Sequence, residues 1–131
     1  MQSFYDLEVW KKSRELKKKI SLLVKTFPIE ERYRLSDQII RSSRSVTANI
    51  SEGYGKYTYK ETKQFCIHSR GSLNETLNHL IDAFDEKYIS NEQLLNFKNE
   101  IEECLKLLNG YISYLKKKID EKPPNPQLPN P

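Results

Sequence analysis

The sequence predicts an all-α protein: an antiparallel up-down-up-down four-helix bundle with a disordered, proline-rich C-terminal tail. Three observations carry that expectation. Apolar residues recur at steps of three and four along four separate segments, the period of a half-buried helix. Stop and capping signals (Pro28, Gly53 with Gly55, Thr58-x-x-Glu61, Ser90-x-x-Gln93) fall between those segments. Four glycines in 131 residues and few β-branched clusters leave little material for a sheet. Residues 1–121 are long enough to enclose one core, and short connections make successive helices antiparallel neighbours.

The first helix is expected over about residues 6–26, with Ser3 or Asp6 capping its start and Leu7, Trp10, Leu16, Ile20, Leu23 and Val24 as its buried face. Lys11, Arg14, Lys18 and Lys25 fall on its opposite side, and Pro28 ends it. The second helix, about 35–52, carries an apolar stripe of Leu35, Ile39, Val46 and Ile50 and is stopped by Gly53 and Gly55. The third, about 58–86, opens on a T-x-x-E capping box, and Phe65, Leu73, Leu77, Leu80, Ile81 and Phe84 are its expected core face. The fourth, about 91–120, opens on S-x-x-Q. It carries the cleanest seam of the chain, from Leu94 and Phe97 through Ile101, Leu105, Leu108, Ile112 and Leu115 to Ile119. Five prolines in residues 122–131 cannot continue a helix, so this tail is expected to be disordered.

Composition narrows the function. A charged fraction of 31% and a mean hydropathy of −0.76 suit long helices with solvated outer faces. Neither a signal sequence nor an apolar run of membrane-spanning length is visible, so a soluble, cytoplasmic protein is expected. The net charge of +4 conceals an asymmetry. Residues 1–70 hold fifteen Lys/Arg against eight Asp/Glu, whereas residues 71–131 hold seven against ten. The first half therefore has the character of a surface that faces a polyanion. The two cysteines suit a reducing compartment, and an antiparallel register leaves them too far apart for a disulfide.

Beside the apolar stripe of the second helix runs another, of short polar residues: Gln38, Ser42, Ser45, Asn49 and Glu52. A hairpin centred near Lys56 sets Arg41 and Ser42 opposite Gly71 and Ser72, with Glu75 one turn on and within reach of Arg41. Gly71 inside a helix is then read as a point of close backbone approach. The polar stripe exceeds what one facing helix satisfies, which points to a contact between helices or between subunits.

These residues carry a resemblance. F-x-D-L-x-V-W (Phe4 to Trp10), F-P-x-x-E (Phe27 to Glu31), Gln38-Ile39 with Arg41, Ser45-Val46 with Asn49-Ile50 and Glu52-Gly53, and Gly71-Ser72-Leu73 with Glu75 resemble the 23S rRNA intervening-sequence family, over about residues 4 to 119. The resemblance implies a bacterial four-helix-bundle protein that assembles into a ring-shaped homopentamer with basic surfaces. The accessory protein of diversity-generating retroelements, which binds a reverse transcriptase and RNA, is structurally similar to that family. The loop after Glu52-Gly53 often carries arginine there; here it holds Lys56, which cannot form a bidentate fork on phosphate.

No catalytic constellation, metal-ligand set or cofactor motif emerges. Gly55-Lys56 lacks the remaining residues of a phosphate loop. Cys66 and His68 form a lone C-x-H on a helix, pointing to different faces, and His68 and His79 read as surface or satisfied residues. The stronger pattern lies at one end of the bundle, where Tyr54, Tyr57 and Tyr59 interleave with Lys56, Lys60 and Lys63. Aromatic faces stack on unpaired bases while lysines hold phosphates. Lys11, Arg14 and Lys18 offer a second basic surface. The leading expectation is a non-enzymatic, oligomeric protein that binds RNA or DNA; the rival is a scaffold that recruits another protein.

Overall fold

A computed structural model describes residues 3–121. Among them the chain forms four α-helices and no strand: α1 (Glu8–Val24), α2 (Leu35–Tyr54), α3 (Tyr59–Asp85) and α4 (Asn91–Asp120). Single turns of 3-10 helix at Phe4–Asp6 and Ile29–Glu31 precede α1 and α2. Helices α1 and α3 each pack on both α2 and α4. None of the described helices is long and apolar enough to cross a membrane. The proline-rich tail expected over residues 122–131 lies outside the described residues.

The expected box at Ser90 closes in both directions, whereas that at Thr58 forms only its N-cap half. The Glu61 N–H donates to Thr58 Oγ1 at 3.1 Å, and Gln93 and Ser90 exchange side-chain and backbone bonds at 3.1 and 2.8 Å. The start of α1 differs from expectation: Asp6 accepts from the Ser3 N–H at 3.0 Å and so closes the preceding 3-10 turn, and α1 begins beyond it at Leu7 without a side-chain cap. Helix α2 runs through Gly53 and ends only at Gly55. Between α3 and α4, the N–H of Lys87 donates to the Phe84 carbonyl and that of Tyr88 to the Ala83 carbonyl, both at 2.9 Å. That pattern closes the helix C-terminus and holds Lys87 at φ 65°, where glycine is usual.

The core is built from Leu16, Ile20, Ile39, Val46, Ile50, Leu73, Leu80, Ile101, Leu108 and Leu115, all essentially without solvent contact. In α1 and α3 the buried face is rotated from the one that hydrophobicity alone selects. Helix α1 buries Val9 and Ser13 and leaves Leu7, Trp10 and Val24 at the edge of the core. Helix α3 buries Thr62, Cys66, Ser69, Leu73, Thr76, Leu80 and Ala83, an unbroken alternation of four and three, while Ile81 and Phe84 face outward. Small hydroxyl residues hold this position because they allow α3 to lie close to α2 and bond to it.

That closeness is visible as a ladder. Thr62 donates to the Gly53 carbonyl at 2.8 Å and Ser69 to the Val46 carbonyl at 2.8 Å; Ser72 meets Ser45 at 2.9 Å and Thr76 meets Ser42 at 2.9 Å. Rising numbers on α3 meet falling numbers on α2, so this pair is antiparallel, about one turn out of the expected register. Three expectations fall with that register. Ser42 faces Thr76 rather than Ser72. Gly71 is exposed, with open space where a Cβ would stand, so it is no point of close approach. Arg41 reaches Asp37 on its own helix at 3.8 Å and Glu75 reaches His79 at 3.3 Å, so the two do not pair with each other. The close approach occurs at Gly53 instead, where a Cβ would lie 2.7 Å from that of Phe65.

Candidate nucleic-acid interface

Helix α2 delivers Tyr54 to one end of the molecule, the loop of residues 55–58 carries Lys56 and Tyr57 across it, and α3 starts back with Tyr59. Tyr57 is 83% exposed, whereas Tyr54 and Tyr59 are half-buried. The Lys56 ammonium stands 5.1 Å from the centre of the Phe65 ring, a cation–π contact that draws this lysine over α3. Lys60 is exposed and Lys63 half-buried on the opening turns of α3.

Helix α4 completes this end. Tyr111 and Tyr114 present near-parallel rings, 9° apart in plane and 6.2 Å between centres. Lys118 lies 5.8 Å from the Tyr114 ring centre and 3.6 Å from the Glu121 carboxylate. Together, Tyr54, Lys56, Tyr57, Tyr59, Tyr111 and Tyr114 surround an open cleft of about 490 Å³, with aliphatic and threonine side chains as the rest of its wall. Burial, reinforced by the neighbouring Cys66, Tyr54, Tyr114 and Tyr59, pushes the Tyr111 phenol up to about 12. It remains a hydrogen-bond donor at any physiological pH.

The α1 face is less free than its lysines suggest. Lys12 pairs with Glu103 at 2.7 Å and Lys19 with Glu100, tying α1 to α4. The hydrogen bond between Lys12 and Glu103 raises the ammonium and lowers the carboxyl from their ordinary pKa values. Lys11 reaches Glu8 at 3.6 Å, and Arg14 lies 5.8 Å from the Trp10 ring centre. Both border a groove of about 700 Å³ with Phe4, Tyr5, Trp10 and Leu107. Lys18 is exposed. The structure thus sets Lys11 and Arg14 side by side and brings Tyr54, Lys56, Tyr57 and Tyr59 together, while Lys60 and Lys63 lie outside the cleft lining.

Within the polar stripe, Ser45 meets Ser72 and Ser42 meets Thr76 across α2 and α3, and Asn49 bonds the Ser45 hydroxyl and carbonyl at 3.0 and 2.8 Å. Ser42 also donates to the Ile39 carbonyl at 3.2 Å. These hydroxyls are therefore satisfied within one chain, and Gln38 and Glu52 face solvent. The stripe's hydroxyls require no second subunit to satisfy them. Of the histidines, His68 is exposed and His79 buried, held between Glu75 at 3.3 Å and Asp82 at 3.8 Å on its own helix. Cys66 and Cys104 are buried free thiols, and burial pushes Cys66 up to about 11.

Tyr111, Tyr114 and Lys118 escape a reading of the sequence that attends only to the α4 apolar seam. Their spacing of i, i+3 and i+7 marks a second face beside that seam, and an aromatic pair with a lysine there is the signal that finds them.

The family model of the 23S rRNA-intervening sequence protein matches residues 5–110. Among solved structures, a protein of unknown function from the S23 ribosomal protein family of Bacteroides thetaiotaomicron is similar, at 30% identity and a TM-score of 0.74, over 80% of this chain and 95% of its own. No curated protein matches.

Proposed function

The chain belongs to the 23S rRNA-intervening sequence protein family, and from that premise we propose that it is a non-enzymatic nucleic-acid-binding protein working as a homo-oligomer. The observation that carries this reading is the gathering of five tyrosines and a lysine from α2, the α2–α3 loop, α3 and α4 around one cleft at the end of the helices. Exposed aromatic rings beside ammonium groups suit single strands of RNA or DNA, where rings meet unpaired bases and ammonium groups meet phosphates. The basic first half adds long-range attraction, and Lys11, Arg14 and Lys18 extend the same polarity onto α1. An up-down-up-down helix order, which the short connections favour, and assembly as a pentamer, which the family resemblance implies, belong to this reading; service beside a reverse transcriptase joins it through that family's likeness to the retroelement accessory protein. In a ring each weak contact would recur by symmetry, and avidity would compensate for phosphate binding that relies mostly on lysines.

Salt dependence tests it. If lysines neutralise phosphates, the logarithm of affinity for a single-stranded RNA falls linearly with the logarithm of salt, by about 0.7 per contact. Replacing Lys56, Lys60 and Lys63 with glutamine flattens that slope for RNA and DNA alike. Absence of binding at low salt rejects the reading.

A second reading, a scaffold that recruits another protein, draws on Ile29 and Tyr33 in the α1–α2 connection. They are 74% and 84% exposed, and such apolar surface suits a protein partner. A partner held equally well at low and high salt would favour it.

A further inference from the structure

We propose that the cleft between the α2–α3 loop and α4 is a base-binding pocket, which takes an unstacked nucleobase of a single strand onto the Tyr111–Tyr114 face while Lys56 and Lys118 hold the flanking phosphates. This deepens the nucleic-acid reading and rests on it. The loop residues alone define a sticky, sequence-tolerant end; α4 turns that end into a concave site.

Four features argue for a base. The cleft volume of about 490 Å³ falls within the range of roughly 300–1,000 Å³ typical of small-ligand sites. Its wall is dominated by flat rings, and among the described residues no carboxylate lines it; the Glu121 carboxylate is paired with Lys118 at 3.6 Å. Tyr111 and Tyr114 lie nearly parallel in a stacked arrangement, so a base laid on the half-exposed Tyr114 ring extends that stack without either ring turning. The half-buried Tyr111 phenol keeps its proton and can donate to a ring nitrogen or an exocyclic oxygen of the base.

The surroundings supply the remaining parts. Tyr57 stands 83% exposed at the lip, in position to close over an entering base. Lys56 and Lys118 approach from the loop and from α4, each already resting near an aromatic ring, at 5.1 and 5.8 Å from the ring centres. A phosphate on either flank of the base meets one of them. Arginine is missing from this lining, so the pocket holds a base by its face and its phosphates by charge, and discriminates weakly between sequences.

The test compares full-length wild type with Tyr114→Leu and Tyr114→Phe, using fluorescence anisotropy of labelled oligoadenylate RNA and of an abasic strand of equal length. Tyr114 is half exposed, so both variants keep the fold, and matching thermal melting curves verify this. The expected result is that wild type prefers oligoadenylate to the abasic strand by about tenfold. Tyr114→Leu abolishes that preference by weakening only the base-bearing strand, and Tyr114→Phe, which keeps the ring, retains it. Equal binding of the two strands by wild type, or a preference unchanged in Tyr114→Leu, overturns the pocket and leaves nucleic-acid binding standing. If neither strand binds at low salt, the pocket and the broader reading fall together.

Discussion

Two single residues show how position, not type, decides cost. Gly53 sits where α2 and α3 touch, with room for no Cβ beside Phe65, whereas Gly71 and Gly110 face open space on helices. Gly53→Ala is therefore expected to destabilise by about 1–3 kcal/mol through overpacking. Gly71→Ala and Gly110→Ala are expected to stabilise by up to about 1 kcal/mol each through helix propensity. Thermal melting of the three variants checks both signs. Cys66 gives a second residue-level expectation, in pH. Its folded thiol is raised from an ordinary 9.0 to about 11 by burial, so the neutral form is favoured in the fold. The contribution is complete below pH 9 and is lost as pH rises through 11, because the unfolded thiol ionises first. Urea midpoints measured between pH 8 and 11 should fall for wild type and fall less for Cys66→Ala.

At the scale of elements, α2 and α3 are joined by hydroxyls as much as by apolar area. Ser42, Thr76 and the Ile39 and Ser72 carbonyls form one buried network, with each link between 2.8 and 3.2 Å. A network of this kind loses most when one member is removed and leaves the other without a partner. In a double-mutant cycle of Ser42→Ala and Thr76→Val, we expect each single change to cost about 1 kcal/mol and the pair to cost less than the sum, with a coupling of about 0.5–1.5 kcal/mol. Denaturant unfolding of the four proteins measures it; strict additivity would mean that the two hydroxyls do not depend on each other. The same network explains why an apolar count misplaced the α3 core. Hydrophobicity weights Ile81 and Phe84 above Thr62, Ser69 and Thr76, but only the small residues fit the closeness of α2.

At the scale of the molecule, one chain satisfies its own polar stripe yet leaves Leu22, Ile29, Tyr33 and Leu95 exposed. Assembly as the proposed pentamer would cover part of such surface, and light scattering should then give about five times the 15.5 kDa chain mass. A mass of one chain at micromolar concentration would remove the oligomer from the proposed function. Sequence by itself determined what is local: an all-helical chain, the N-cap at Thr58 and the capping box at Ser90, the α4 seam and the placement of Cys66 and His68 on different faces. Each follows from hydrogen bonds or periodicity within a few residues. Three things were decided only by tertiary structure. They are the rotation of α1 and α3 about their axes, the one-turn offset between α2 and α3, and the meeting of Tyr54, Tyr57 and Tyr59 with Tyr111 and Tyr114. The reason is that interhelical register is set by which side chains let two backbones approach. That is a property of pairs of distant residues, and a single helix carries no record of it.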